Sequence, residues 1–303
     1  MAVRETVAPI VPVRAEPHVA RSAPVTFATV ARRILFGFGI IVFIVIAIFP
    51  VYYMIVTTFK QNDDLYNLKH FPLWFNAKPT MTHVQYLFQK TAFRTWLVNS
   101  YLIALGTVII TLITAVPAGY ALARLNLPGA GPLSIGIFLT YLVPPSLLFI
   151  PLSQVVSRLH LTDTIWALII VYPTFTIPFC TWLMMGFFKT VPFEIEEAAL
   201  IDGCSRIQAI RRIVLPLSRA GIFSIMMFAF TLALQDFIYA LTLISTKESK
   251  PVTLGVVTDL IRGDVFYWGE LMAGGILAGL PVAILYNFFL DDFIAGITAG
   301  GVK

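Results

Sequence analysis

An all-helical membrane protein with about six spanning helices is the fold this sequence predicts, and three observations predict it. Of 303 residues, 58% are hydrophobic and only 12% charged, with a mean hydropathy of +0.85, whereas a soluble domain carries about a quarter charged residues. Six stretches reach the roughly 20 mostly apolar residues that a spanning helix needs: residues 34–58, 97–123, 133–156, 164–188, 221–244 and 271–289. The alternating pattern of a barrel is missing, and in lipid each segment must satisfy its own backbone polar groups, which leaves helices.

Residues 1–33 are rich in Pro, Ala, Val and Arg, with no apolar core before residue 34. They read as a disordered tail ahead of an uncleaved first helix. The membrane domain then covers residues 34–296 and a short tail residues 297–303. Prolines fall inside the third span (Pro144, Pro145, Pro151), the fourth (Pro173, Pro178) and the sixth (Pro281); a missing N–H and a ring clash predict kinks there. Lys and Arg number 21 against 16 Asp and Glu, but they are scattered among loops and form no basic stripe with aromatics between, which argues against a nucleic-acid partner. Cys180 lies in a span and Cys204 in a loop, too few for a disulfide framework. An even number of spans puts both termini on one side. Arg32 and Arg33 abut the first span, and Arg206, Arg211, Arg212 and Arg219 crowd the loop after the fourth; the positive-inside rule makes termini and loop cytoplasmic.

That loop, residues 191–219, is where charge, small residues and helix punctuation coincide. Pro192 suits the first turn of a helix, and Glu194, Glu196 and Glu197 suit the positive end of its dipole. Gly203 can adopt the left-handed conformation that ends such a helix. At 100° per residue, Phe193, Glu197, Leu200 and Ile201 share a stripe about 100° wide, while Ala198, Ala199 and Asp202 face elsewhere. Glu197 is thus a carboxylate set in an apolar face. Buried against this chain it would need an internal cation; docked in a groove of another protein, it can take the cation from the partner. A plain amphipathic helix on the membrane surface remains the alternative on these residues alone. A second helix is expected from an N-cap at Ser205, with Ile207, Ile210 and Ile213 at helical spacing and an end at Pro216.

Glu197-Ala198-Ala199, three residues, Gly203, nine residues, then Ile213-Val214-Leu215-Pro216 resembles the signature loop of permease subunits of ATP-binding-cassette importers. The likeness runs beyond residue 33 through Phe49-Pro50, Thr58-Phe59-Lys60, Trp96-Leu97-Val98-Asn99-Ser100, Gly119-Tyr120-Ala121-Leu122-Ala123-Arg124, Trp268-Gly269 and Leu280-Pro281-Val282. The ending from Ala295 to Lys303 is similar to the tail of the maltose-type second permease. The resemblance implies a type I importer permease fold in a bacterial inner membrane. It implies a second permease completing the channel, two cytoplasmic ATPase subunits that hold ATP and Mg, and an extracytoplasmic binding protein delivering a carbohydrate-like solute. In that family the loop helix is the coupling helix. Carried over, Glu197 would meet a basic residue of the ATPase, Ala198 and Ala199 would fit a tight cleft, Gly203 would permit the turn, and Ile213, Leu215 and Pro216 complete the signature. The tail residues Thr298, Gly300, Gly301 and Lys303 would reach between the ATPase subunits, although Leu290-Asp291-Asp292 departs from the family's Gln and basic residue just before. With no G-x-x-x-x-G-K-[ST] phosphate loop of its own, the chain is expected to be no enzyme and to bind no cofactor itself.

One ionisable residue lies well inside a span. Asp236 is fifteen residues beyond Gly221, about 22 Å along a helix. Thr231, Gln235, Tyr239 and Thr242 fall within about 80° of one another on the same helix, and Asp236 borders that stripe. Such residues face the protein interior or a watery path, so pore lining and an interhelical hydrogen-bond cluster both stay open. Gln235-Asp236-Phe237 resembles the subfamily's Asn-acid-Phe element, with Leu234 in place of the usual Trp. His70, His83 and His160 fall in predicted outer loops without metal-ligand spacing and are expected exposed or interfacial. Tyr172, Trp166 and Trp182 are expected as interface anchors and packing, and Met184 and Met185 as core filler. The reading from a different class is an ATP-independent secondary transporter or channel; such carriers bury several charges and show internal repeats, whereas Asp236 is nearly alone.

Overall fold

The computed structural model describes residues 27–301, with side chains over residues 30–290. Residues 1–50 and 51–303 form two compact units. Helix α1 (Phe27–Phe59), whose residues up to Pro50 belong to the first, begins seven residues before the expected start, because Pro24 is the last helix breaker and Phe27-Ala28-Thr29-Val30-Ala31 continues the apolar run. The disorder expected of residues 1–26 lies outside the described residues. Ile34, Leu35, Phe36 and Phe43 are exposed, as suits a helix bathed in lipid.

The second unit continues with α2 (Asn62–Leu65), α3 (Thr82–Lys90), α4 (Phe93–Arg124), α5 (Ala130–Tyr141), α6 (Pro145–Arg158), α7 (Ile165–Val171) and α8 (Pro173–Thr190). The loop follows as α9 (Phe193–Ile201), α10 (Arg206–Ala209), a π-helical turn (Ile210–Val214) and α11 (Leu215–Leu217). Then come α12 (Arg219–Gln235), α13 (Ile238–Leu243), α14 (Val252–Leu260), a two-residue hairpin pairing Ile261 with Phe266 and Arg262 with Val265, and α15 (Trp268–Gly301). Four helices are long and apolar enough to span, and six spans result if two bent helix pairs are each counted as one.

The first bend is sharper than the kink expected at Pro144 and Pro145, and the second falls where the loop helix was expected to end, near Pro216. The third span turns through 92° between α5 and α6, where Pro144 is extended and Pro145 opens α6; two consecutive prolines break the helix outright. The second bend, 75°, separates residues 206–217 from α12. A further break, unsignalled by proline or glycine, interrupts the fifth span between α12 and α13. Helix α15 runs without interruption past residue 297, into the expected tail.

Helix α4 is the central post, packed against α8, α12, α7 and α14. Its approach to α8 depends on Gly119: a Cβ there would stand 2.8 Å from the Met184 Cβ and 3.0 Å from the Met185 nitrogen. Without a hydrophobic force between helices in lipid, such small residues let dispersion contacts form. Met184 is fully buried and Met185 nearly so, as expected of core filler. The first turns of α4 pin the segment after α13. Trp96 Nε1 donates to the Lys247 carbonyl (2.9 Å), Asn99 Nδ2 to those of Glu248 (2.7 Å) and Lys250 (3.1 Å), and Ser100 Oγ accepts from the Val252 nitrogen (2.7 Å). The Trp96-to-Ser100 motif is therefore a set of loop clamps. Asp163, at φ 62°, accepts from the Ser245 and Thr246 nitrogens at the same end.

Between α1 and α4 a polar knot forms around two buried groups. Asp64 accepts from the Asn76 backbone and side chain and pairs with His70 Nδ1 at 2.9 Å and Lys60 at 3.8 Å. Burial alone would raise its pKa, and these partners outweigh burial and hold it below the ordinary carboxylate value. His83 corrects the expectation of an exposed or interfacial histidine. It is 1% exposed, with Nε2 donating to the Lys60 carbonyl (2.8 Å) and Nδ1 lying 3.0 Å from Glu270 Oε1 at the head of α15. Burial would lower its pKa, but the Glu270 carboxylate and then the Lys60 carbonyl raise it above the usual 6.5.

Two outcomes follow from this packing. Gly119→Val forces α4 and α8 apart and costs about 1–3 kcal/mol, read as a lowered melting temperature in detergent, whereas Gly136→Val, with nothing within 4 Å, leaves it unchanged. A raised histidine pKa means that the His83–Glu270 contribution is full below pH 6.5 and fades as pH climbs through the folded-state value. Glu270→Gln therefore lowers the melting temperature by about 3 °C near pH 6, with the gap from the parent protein closing as pH rises; a constant gap contradicts the assignment.

Candidate functional site

Helix α9 is built as the loop sequence demands. Pro192 precedes it, Glu194 and Glu196 lie in its first turn, and Gly203 ends it at φ +86°. The Gly203 nitrogen returns to the Leu200 carbonyl (3.1 Å) and that of Cys204 to Ala199 (3.0 Å), which satisfies the orphan carbonyls of the last turn. Along the expected stripe Ile201 is 85% exposed, Phe193 40% exposed and Glu197 exposed, with Leu200 half-buried. Among the described residues Glu197 has no ion pair. Ala198 is exposed and Ala199 buried.

The inward face belongs to Glu196, for which the sequence implied only a place near the positive end of the helix dipole. Glu196 is 2% exposed, and its Oε1 accepts from the Tyr120 hydroxyl. Its Oε2 lies 3.8 Å from Arg124 Nε. Tyr120 and Arg124 are four apart at the end of α4 and so share one face. The Arg124 Nη2 also donates to the Phe188 carbonyl at 2.6 Å and to that of Val191, capping the end of α8, and its guanidinium sits 5.4 Å over the Phe193 ring. One arginine thereby joins the ends of α4 and α8 to the start of α9. A signal for this was available: Glu196 and Ala199 lie three apart on one face, beside the stripe on its Leu200 edge, and the Tyr120–Arg124 pair sits inside a motif already noted.

The second half of the loop departs from a regular helix. Ser205 caps it as expected, accepting from the Gln208 nitrogen (3.3 Å) while Gln208 Oε1 accepts from the Ser205 nitrogen (2.8 Å), a complete capping box. The π turn then replaces the predicted α-helical face of Ile207, Ile210 and Ile213. Ile207 is exposed and the other two half-buried, while the residues fully buried are Ala209 and Val214, five apart, as i→i+5 winding brings them together. Leu215 and Pro216 lie in α11, which continues one residue past Pro216 to Leu217.

The polar stripe of the fifth span is not continuous. Helix α12 stops at Gln235, Asp236 is extended, and α13 starts at Ile238. Asp236 Oδ2 accepts from the Tyr239 nitrogen (3.1 Å), the Ala240 nitrogen (3.3 Å) and the Tyr172 hydroxyl (2.9 Å), so it caps the short helix and ties it to α7 and α8. Tyr172, expected to anchor at an interface or to pack, is packed in the core at 1% exposure. Tyr239 is buried and donates to the Pro145 carbonyl. Thr231 bonds Tyr286 on α15 and the Met227 carbonyl. Gln235 and Thr242 are exposed. Of the tail residues, Thr298, Gly300 and Gly301 lie on the backbone of α15 with side chains outside the described ones, and Lys303 lies outside the described residues.

Comparison with known proteins places this geometry. The family profile described as "Binding-protein-dependent transport system inner membrane component" matches residues 115–298. The chain is 32% identical to a sulfoquinovosyl glycerol transport system permease of Agrobacterium fabrum over 86% of this chain and 91% of that protein. It is 31% identical to a diacetylchitobiose uptake system permease of Streptomyces coelicolor, over 84% and 92%. A trehalose/maltose transport system permease of Thermococcus litoralis is 29% identical over 90% and 98%. In fold the chain resembles a bacterial ABC transporter involved in import of the acidic polysaccharide alginate, with a TM-score of 0.77, 18% identity, and coverage of 88% of this chain and 98% of that one. The architecture is that of a type I importer permease. With the matched stretch running from the middle of α4 through the loop and nearly to the end of α15, the chain belongs to the family of binding-protein-dependent transport system inner membrane components.

Proposed function

We propose that this chain is one of two permease subunits of an ATP-driven importer for a carbohydrate-like solute, and that α9 is the element on which its ATPase acts. The observation that carries the reading is the outward face of α9. Ile201 and Phe193 stand exposed on either side of an unpaired Glu197, on a helix whose other face is rooted in α4 and α8. An apolar stripe with one uncompensated acid fits a groove that supplies the cation. The permease is not itself a catalyst; ATP and Mg belong to the two cytoplasmic ATPase subunits. A second permease completes the path, and an extracytoplasmic binding protein delivers the solute. The relatives are named for saccharide-type cargo, which supports the substrate class. Both termini and the loop are assigned to the cytoplasm from Arg206, Arg211, Arg212 and Arg219. The tail from Thr298 to Lys303 is assigned to the same ATPase contact. A carrier working without ATP does not fit the family.

The path itself is assigned to the break in the fifth span, with exposed Gln235 and Thr242 facing the solute and Thr231, Asp236 and Tyr239 holding the break in shape.

Glu197→Lys or Ile201→Arg is expected to weaken ATPase co-purification by about 30-fold, the cost of an interface hot spot, while the permease still folds. A charge-swapped ATPase restores the Glu197→Lys complex, and undiminished co-purification of both variants refutes the assignment. For the path, Gln235→Ala slows ATP-dependent uptake without lowering the melting temperature. Asp236→Ala lowers the melting temperature through loss of a cap worth about 0.5–2 kcal/mol; normal uptake by Gln235→Ala and Thr242→Ala together removes the break from the path.

A further inference from the structure

Three features of the α9 root stand out together. First, Glu196 Oε2 and Arg124 Nε are both buried yet neither makes a hydrogen bond; they face each other at 3.8 Å, beyond the about 2.7–2.9 Å of a charge-assisted bond. Buried polar atoms are nearly always satisfied, and one that is not calls for a reason. Second, the atoms beside these two are engaged. Glu196 Oε1 is held by Tyr120 and Arg124 Nη2 by the carbonyls of Phe188 and Val191. Third, the Phe193 ring lies under the Arg124 guanidinium at 5.4 Å while remaining 40% exposed, so a partner pressing on α9 pushes on the ring that supports the cation.

We propose that Glu196 is a positioning residue for coupling: with Arg124 it forms a two-position latch, open as seen here and closed when α9 moves about 1 Å toward α4, so that Glu196 Oε2 accepts directly from Arg124 Nε. This rests on the reading of α9 as the ATPase contact. The closed position gains a charge-assisted bond between groups already out of water, with no new desolvation, so a small displacement changes the free energy steeply. Because Arg124 also caps α8, closing the latch draws on two membrane helices at once. Glu197, exposed on the other face, recognises the partner; Glu196 passes on its movement.

The test uses the assembled complex with its ATPase. An Ile238→Cys reporter, at an exposed position opening α13, is labelled by a charged maleimide with and without ATP and Mg, with Cys204→Ser in the background. Glu196→Gln keeps an acceptor for Tyr120 but turns an amide toward Arg124. Its ATPase still co-purifies, and the ATP-dependent change in labelling rate falls about tenfold, as loss of one charge-assisted hydrogen bond gives. Arg124→Lys, a point charge that cannot serve Glu196 and the α8 carbonyls together, behaves likewise. An ATP response that both variants retain at parental size overturns the latch and leaves the coupling reading intact. No ATP response in the parent complex, or undiminished ATPase co-purification of both Glu197→Lys and Ile201→Arg, overturns the coupling reading and the latch with it. Failure of both variants to assemble also overturns the proposal, since the cluster then holds the fold rather than transmitting movement.

Discussion

A carboxylate taken out of water must be met by fixed partners, and the placement of Glu196 against Tyr120 and Arg124 is the constraint around which one end of this bundle is organised. Arg124 can reach Glu196 only because α4 and α8 lie close, which Gly119 permits. It can cap α8 only because that helix ends at the same level. The result is a helix, α9, fixed by one polar face and leaving an apolar one to solvent. A wholly apolar loop helix could have sunk into the bundle or the lipid. The inward charge gives it one seat.

The opposite end obeys a different rule. There the chain leaves helical geometry at several places, and each departure is tied by side chains to a neighbour. Asp236 takes the free nitrogens of α13, Asp163 those of residues 245 and 246, and Trp96, Asn99 and Ser100 hold residues 247–252. Irregular backbone in a membrane protein is tolerated where protein satisfies it. These clamps explain why polar residues recur at the head of an otherwise apolar α4.

Much of this was legible in the sequence where the physics is local. Gly203 was read as a helix stop able to turn left-handed and Ser205 as an N-cap, and both hold, with Gln208 completing a capping box. What the sequence hid is non-local or lacks a breaker. The stretch Leu234-Gln235-Asp236-Phe237 contains neither Gly nor Pro, so the interruption at Asp236 depends on Tyr172, far along the chain. Two adjacent glutamates differ by 100° on a wheel, but the wheel does not say which face is inward; that is decided by Arg124. His83 looked like a loop histidine because Glu270 is remote in sequence. Pro144-Pro145 was recognised as a disturbance, yet nothing in the dipeptide distinguishes a mild kink from a 92° turn.

The widened turn at Ile210–Val214 carries one residue more than a regular helix would need to bring Ala209 and Val214 onto the same side. An ordinary helix sets residues five apart at about 140° to each other and residues four apart at about 40°. Length variation in this stretch is thereby lopsided. Shortening by one residue converges on a plain helix with both anchors still seated, whereas lengthening meets a turn whose slack is already taken up, so the extra residue must rotate everything downstream into the membrane.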